Sequence, residues 1–120
     1  MLAQVAADRV TPGAGSPLER AIGYLEDNVA RAVAVGDLAA LVGVSASHLG
    51  ALFRQATGGG VLAYQTSLRM GRARGLLDGT ELTVAEVAAA VGYDDPLYFS
   101  RRFSRVHGLS PRAYRALGKG

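Results

Sequence analysis

A chain of 120 residues that is 49% apolar, with no cysteine and two histidines, makes one domain or two very small ones, and it excludes a disulfide framework, a thiolate nucleophile and a metal site built on cysteine or histidine alone. No run of about 18 apolar residues is present and Met1–Val10 lacks a cationic start ahead of an apolar core, so neither membrane insertion nor secretion is supported and the reducing cytoplasm is the expected compartment. A net charge of +3 with a pI near 9.7 permits nucleic-acid binding without establishing it.

Residues 1–16, closing on TPGAGS, mix small residues with Thr, Pro and Gly and carry no sustained period, so they read as a flexible leader or linker remnant. From Leu18 to about Val33 the apolar positions Leu18, Ala21, Ile22, Leu25 and Val29 recur at three and four residues. That period predicts one amphipathic helix with Glu19, Arg20, Glu26 and Asp27 outside. Ser16 is its expected N-cap and Pro17 its first residue.

From there the sequence repeats itself. Leu38, Ala39, Val42 and Gly43 match Val87, Ala88, Val91 and Gly92 at an offset of 49, while Leu49, Phe53, Gly58 and Tyr64 match Phe99, Phe103, Gly108 and Tyr114 at 50. The second copy therefore has one extra residue, just after its central glycine. Each copy reads as a short helix, a glycine turn and a second helix, over about 36–57 and about 83–107. Ala39 and Ala88 are small where two helices cross closely, Gly43 and Gly92 can take the positive φ of a tight turn, and Leu49, Leu52, Phe53, Phe99 and Phe103 form the inward stripes. Thr83 with Glu86 makes a capping box, Asp95 precedes Pro96, Ser110 precedes Pro111, and Ser45 or Ala46 opens the second helix of the first copy. Between the copies, Leu62, Leu68, Ala73, Leu76 and Leu77 predict a connecting helix over about 61–77, roughly 25 Å long at 1.5 Å per residue. With its flanking turns it can span the roughly 34 Å between successive major grooves on one face of a duplex.

These residues, together with Thr57-Gly58, Tyr64, Leu68-Arg69, Val91-Gly92-Tyr93, Tyr98-Phe99 and the closing Gly108-Leu109-Ser110-Pro111 with Tyr114-Arg115, make the chain resemble the DNA-binding domain of the AraC/XylS family of bacterial transcription regulators. The resemblance covers 17–117 and leaves 118–120 as a tail. It implies an all-α fold of about seven helices, two helix-turn-helix subdomains joined by a long helix, with recognition helices 46–56 and 96–106 entering successive major-groove segments. The base-facing positions it implies are Ser47, Gly50 and Ala51 in the first copy and Leu97, Tyr98, Ser100 and Arg101 in the second. Ser45, His48, Arg54, Arg69, Arg102 and Arg105 are the candidates for phosphate or flanking contact. Gly50 and Ala51 depart from the family, whose members often have arginine or glutamine there, and they offer no side-chain donor or acceptor. The second copy should therefore dominate sequence reading through Arg101. Promoter DNA is the expected partner, RNA polymerase the candidate second one, and the chain is expected to act as a monomer with no cofactor and no membrane.

Charge placement agrees with that assignment. Residues 1–60 are acidic by one charge, whereas no acid follows Asp95 and Arg101, Arg102, Arg105, Arg112, Arg115 and Lys119 supply a basic surface. Plainer roles fall to other groups. Asp94 and Asp95 read as helix caps, His48 and His107 as surface or packing residues, Tyr64, Tyr93, Phe99, Phe103 and Tyr114 as core, and Arg69, Arg72 and Arg74 as either a solvated face or phosphate contacts. Two further functions stay open: a non-specific architectural DNA binder, consistent with Gly50 and Ala51, and a helical protein-interaction module, consistent with the acidic first half. Nothing from which to assemble a catalytic site is present. Whether the chain is a stand-alone regulator or the C-terminal domain of a longer one is likewise open.

Overall fold

The computed structural model describes residues 15–119, all of whose regular structure is helical. The expected leader lies, apart from Gly15 and Ser16, outside the described residues, as does Gly120. Seven helices follow one another among the described residues: α1 Pro17–Asp27, α2 Val35–Leu41, α3 Ala46–Thr57, α4 Val61–Gly79, α5 Val84–Ala90, α6 Pro96–His107 and α7 Pro111–Lys119. They fall into two units, one running through Asn28 and from Val33 to Tyr64, the other made of Val29–Ala32 and the chain from Gln65 onward.

In the first unit, α1 opens on a capping box: Ser16 Oγ accepts from Glu19 N at 3.0 Å and Glu19 Oε1 accepts from Ser16 N at 3.1 Å. The capping-box pattern that marks Thr83–Glu86 thus occurs twice, since Ser16–Glu19 has it too. Ala21 and Leu25, four residues apart, are buried, and α3 packs on both α1 and α2. The helix ends at Asp27 rather than near Val33. Asn28 leaves helical geometry at φ −129° and ψ 42°, its backbone N–H turns to Leu25 O, and its side chain donates to Tyr24 O at 2.9 Å. An amide side chain has taken the carbonyl that a continuing helix would have bonded.

The turn between α2 and α3 rests on Gly43, whose φ of +82° lies in the left-handed region. Val42 N bonds Leu38 O and Ala39 O, and Val44 N bonds Ala39 O at 3.0 Å, which satisfies the last carbonyls of α2. The chain then bends so that α2 and α3 stand 92° apart. Ser45 caps α3 by accepting from His48 N. Leu38, Ala39, Val42, Leu49 and Phe53 are buried, Leu52 is half-buried, and Tyr64 meets the Phe53 ring edge-on at 5.5 Å.

The second unit repeats the plan. Gly92 has φ +100°, Tyr93 N bonds Ala88 O at 2.9 Å as Val44 N bonds Ala39 O, and Asp95 caps α6 by accepting from Leu97 N at 3.0 Å. The matching bonds place the extra residue of the second copy after Tyr93, where Asp94 lengthens the turn before the cap. Met70, Ala73, Leu77, Val87, Ala88, Val91, Phe99 and Phe103 form its core, with Tyr93 and Tyr114 packed against it. The rings of Tyr93, Phe99, Phe103 and Tyr114 follow one another at 5.7–5.9 Å. His107 belongs to this packing, 4.5 Å from Phe103 and 3.2 Å from Met70 O.

Two further boundaries differ from expectation. The connecting helix α4 continues through Gly79 because Thr80 N and Thr80 Oγ1 both donate to Leu76 O, so Asp78-Gly79 is helical. Its buried seam is Val61, Gln65, Met70, Ala73 and Leu77, whereas Leu62 is 57% exposed. The helix α7 likewise carries the backbone of the expected tail as far as Lys119.

The glycine turns differ in what surrounds them. A Cβ at Gly43 would meet nothing within 4 Å, while one at Gly92 would stand 2.8 Å from Ala30 O and 2.9 Å from the Arg69 guanidinium. Gly43→Ala is expected to cost about 1–2 kcal/mol, the strain of a left-handed alanine, and Gly92→Ala about 2–4 kcal/mol because overpacking adds to it. Urea unfolding of the two variants measures this. Equal losses would mean that Ala30 and Arg69 move aside freely.

Candidate nucleic-acid interface

A helix-turn-helix buries one stripe of its second helix and leaves the opposite stripe to solvent. On α3 the buried stripe is Leu49 and Phe53, and on α6 it is Phe99 and Phe103. The opposite faces carry the positions singled out from sequence. On α3, Ser47, Ala51, His48 and Arg54 are exposed and Gly50 is half-buried. On α6, Leu97 is 69% and Tyr98 46% exposed, Arg101 and Arg105 are exposed, and Ser100 and Arg102 are half-buried.

Leu97, Ser100, Arg101, Ser104 and Arg105 line one shallow trough along α6. Apolar, hydroxyl and guanidinium groups thus stand side by side on a convex helix. Neither α3 nor α6 contains an acidic residue. Arg54 on α3 and Arg101 and Arg105 on α6 are exposed, and arginine is the residue type whose planar fork fits phosphate oxygens and guanine edges.

The helix starts are prepared in different ways. Ser45 Oγ accepts from His48 N at 3.0 Å, so its oxygen is engaged in the cap while its hydroxyl hydrogen stays available as a donor. Asp95 caps α6, as its place before Pro96 predicts, which turns an anion on the basic face into a structural group. Tyr98 lies 5.9 Å from Tyr93 and under the Arg102 guanidinium at 5.8 Å, and Arg102 Nη2 also donates to Thr66 Oγ1 at 3.3 Å. These contacts hold Tyr98 and Arg102 in a fixed arrangement beside the trough.

Arginine placement adds to the sequence reading. Arg69, a candidate phosphate contact, donates from Nε to Val29 O at 2.8 Å and from Nη2 to Arg31 O at 3.0 Å, and its Cζ lies 5.2 Å from the Tyr93 ring. Gln65, buried, also donates to Arg31 O at 3.0 Å. Arg69 is thus a fastener of Val29–Ala32, because carbonyls there lack helical partners and a guanidinium supplies several donors at once. Arg115, counted with the basic end, points inward as well: it donates to Leu77 O at 3.2 Å, Leu82 O at 2.6 Å and Thr80 O at 3.2 Å. Arg74 turns to Tyr114, donating to its hydroxyl at 3.2 Å, and that hydrogen bond raises its pKa. In the first unit Arg20 Nη2 donates to Val42 O at 3.1 Å. Local pattern does not mark these bonds, since the acceptors named lie 22–40 residues away.

Comparison with known proteins gives the arrangement its relatives. A family model described as a helix-turn-helix domain matches residues 38–117. The chain is 39% identical over 92 residues to the MmsAB operon regulatory protein of Pseudomonas aeruginosa, covering 77% of this chain and 30% of that protein. It is 37% identical over 106 residues to the arabinose operon regulatory protein of Escherichia coli, covering 88% of this chain and 36% of the relative. The chain thus spans about a third of the length of these curated relatives. Among solved structures, a transcriptional regulator with an AraC-type DNA-binding domain from Chromobacterium violaceum superposes with a TM-score of 0.80 at 32% identity, over 83% of this chain and 89% of that one. The DNA-binding domain of AdpA, a global transcriptional factor solved in complex with a target DNA, also gives 0.80, at 30% identity over 86% and 93% of the two chains.

Arg115→Lys is expected to lower stability by roughly 1–3 kcal/mol, because an ammonium's donors radiate from one nitrogen and lack the spread of the three guanidinium nitrogens that reach three separate carbonyls. Thermal unfolding measures it. An unchanged melting temperature would show that solvent serves those carbonyls equally well.

Proposed function

The chain belongs to the AraC/XylS family of transcription regulators, as a member of its helix-turn-helix DNA-binding domain, and on that premise we propose that it binds double-stranded promoter DNA sequence-specifically through α3 and α6. The observation that carries this reading is the pair of exposed, acid-free helix faces, each opposite a buried apolar stripe. The two helices enter successive major-groove segments. Arg101 is the principal base reader, forming a bidentate contact with guanine worth about 1–3 kcal/mol of discrimination. Leu97, Tyr98 and Ser100 supply apolar and hydroxyl contacts beside it, and Ser47 and Ala51 do the same in the first unit. Arg102 and Arg105, with Ser45 and His48 at the other helix, hold the phosphates and set register.

The action is binding rather than catalysis, and it takes place in the cytoplasm. A single chain suffices because both reading helices lie on it. RNA polymerase is the second partner of a regulator bound at a promoter.

Selection from a randomised duplex pool at two salt concentrations tests this. The expected result is a two-part motif with halves about 10 base pairs apart. Binding without enrichment that falls steeply with salt would favour an architectural binder, and absence of binding a protein-interaction module. On the enriched sequence, Arg101→Ala is expected to cost about 1–3 kcal/mol and Ser47→Ala much less. Equal losses in a gel-shift titration would overturn the leading role of Arg101.

A further inference from the structure

Gly50 stands in the middle of α3, where glycine weakens a helix relative to alanine. The backbone does not require it, since the described glycines with positive φ are Gly15, Gly43, Gly58, Gly92 and Gly108. What occupies the space of its absent side chain is Arg54. A Cβ built on Gly50 would lie 3.3 Å from Arg54 Nη1, 3.9 Å from its Cζ and 4.0 Å from Nη2. Arg54 is one turn further along, and helical side chains lean toward the N-terminus, so its guanidinium folds back over the glycine. Ser47, Gly50 and Arg54, at i, i+3 and i+7, lie on one line of the helix surface. Among the described residues the Arg54 side chain has no hydrogen-bond or ion-pair partner, in contrast to those of Arg20, Arg69 and Arg115.

We propose that Arg54 is the base-reading residue of the first unit, its guanidinium presented from above Gly50 to the O6 and N7 of a guanine in the major groove, and that Gly50 is the positioning residue that keeps the surface beneath it clear. This assignment rests on the DNA-binding reading above. It supplies the donor that Gly50 and Ala51 lack, and it moves Arg54 from phosphate contact to sequence discrimination. A planar fork with fixed geometry suits a guanine edge, whereas a lysine in its place would offer the same charge without the fork.

The experiment repeats the duplex-pool selection with the full chain and with Arg54→Lys, Arg54→Ala, Gly50→Ala and the Gly50→Ala/Arg54→Ala pair, each also titrated against salt and melted. The wild type is expected to enrich a guanine in the first half-site. Arg54→Lys should lose that preference by about tenfold or more while the salt dependence stays unchanged. Gly50→Ala should raise the melting temperature yet lose the same preference at the same base pair. Combined with Arg54→Ala it should add no further loss, since both act through one guanidinium. If Arg54→Lys and Gly50→Ala retain the wild-type motif and Arg54→Ala weakens all sequences alike with a salt slope reduced by about 1, Arg54 holds a phosphate and the assignment is overturned. A wild-type chain that enriches nothing overturns the DNA-reading function itself, and this assignment with it.

Discussion

Each helix-turn-helix in this chain depends on one backbone conformation that only glycine adopts without strain. At Gly43 and Gly92 the φ values of +82° and +100° reverse the chain within a few atoms, so that the carbonyls ending α2 and α5 find the amides of Val44 and Tyr93. The second helix then leaves at a steep angle with its aromatic stripe against the first. Phe53 and Ala39 in the first unit, like Phe99 and Ala88 in the second, are buried as a result. The small residues at Ala39 and Ala88 express the same constraint from the other side, since a larger side chain there would hold the helices apart.

A second constraint follows from the short helices. Elements of 7 residues, such as α2 and α5, leave a large share of their backbone groups without intrahelical partners, and the connecting turns add more. Arginines on distant helices take up several of these carbonyls. Arg20 reaches Val42, Arg69 reaches Val29 and Arg31, and Arg115 reaches Leu77, Thr80 and Leu82. The basic surplus of the sequence is therefore split between fastening the fold and facing outward. The second group includes Arg54, Arg101 and Arg105, exposed on α3 and α6.

Duplication made the architecture legible from sequence. The offsets of 49 and 50 located both turns, the capping residues marked helix starts, and the period of apolar residues separated the inner from the outer faces of α3 and α6. Less was legible where distant groups decide the outcome. The apolar spacing through Val29 favours a longer first helix, but Asn28 and the demand of Arg69 for the Val29 and Arg31 carbonyls end it. Arg69 itself looks like any exposed cation until Tyr93 and those carbonyls are placed around it. Gln65 falls outside the apolar period of the connecting helix and is buried as it donates to the Arg31 carbonyl. On the outer face of α3, Gly50 reads as a missing contact, because periodicity says which residues share a face but not which way Arg54 leans.

The choice of carbonyls as acceptors for the fastening arginines has a consequence for how the molecule meets acid and salt. A carboxylate partner would be neutralised on acidification, but a peptide carbonyl has no proton to gain in that range, and a guanidinium keeps its charge throughout. A charge held by a dipole at hydrogen-bond distance is also less exposed to counterion screening than two separated ions at a surface. Ionic conditions that weaken pairs of separated surface charges thus leave Arg20, Arg69 and Arg115 in place, and each unit keeps its fastened turns.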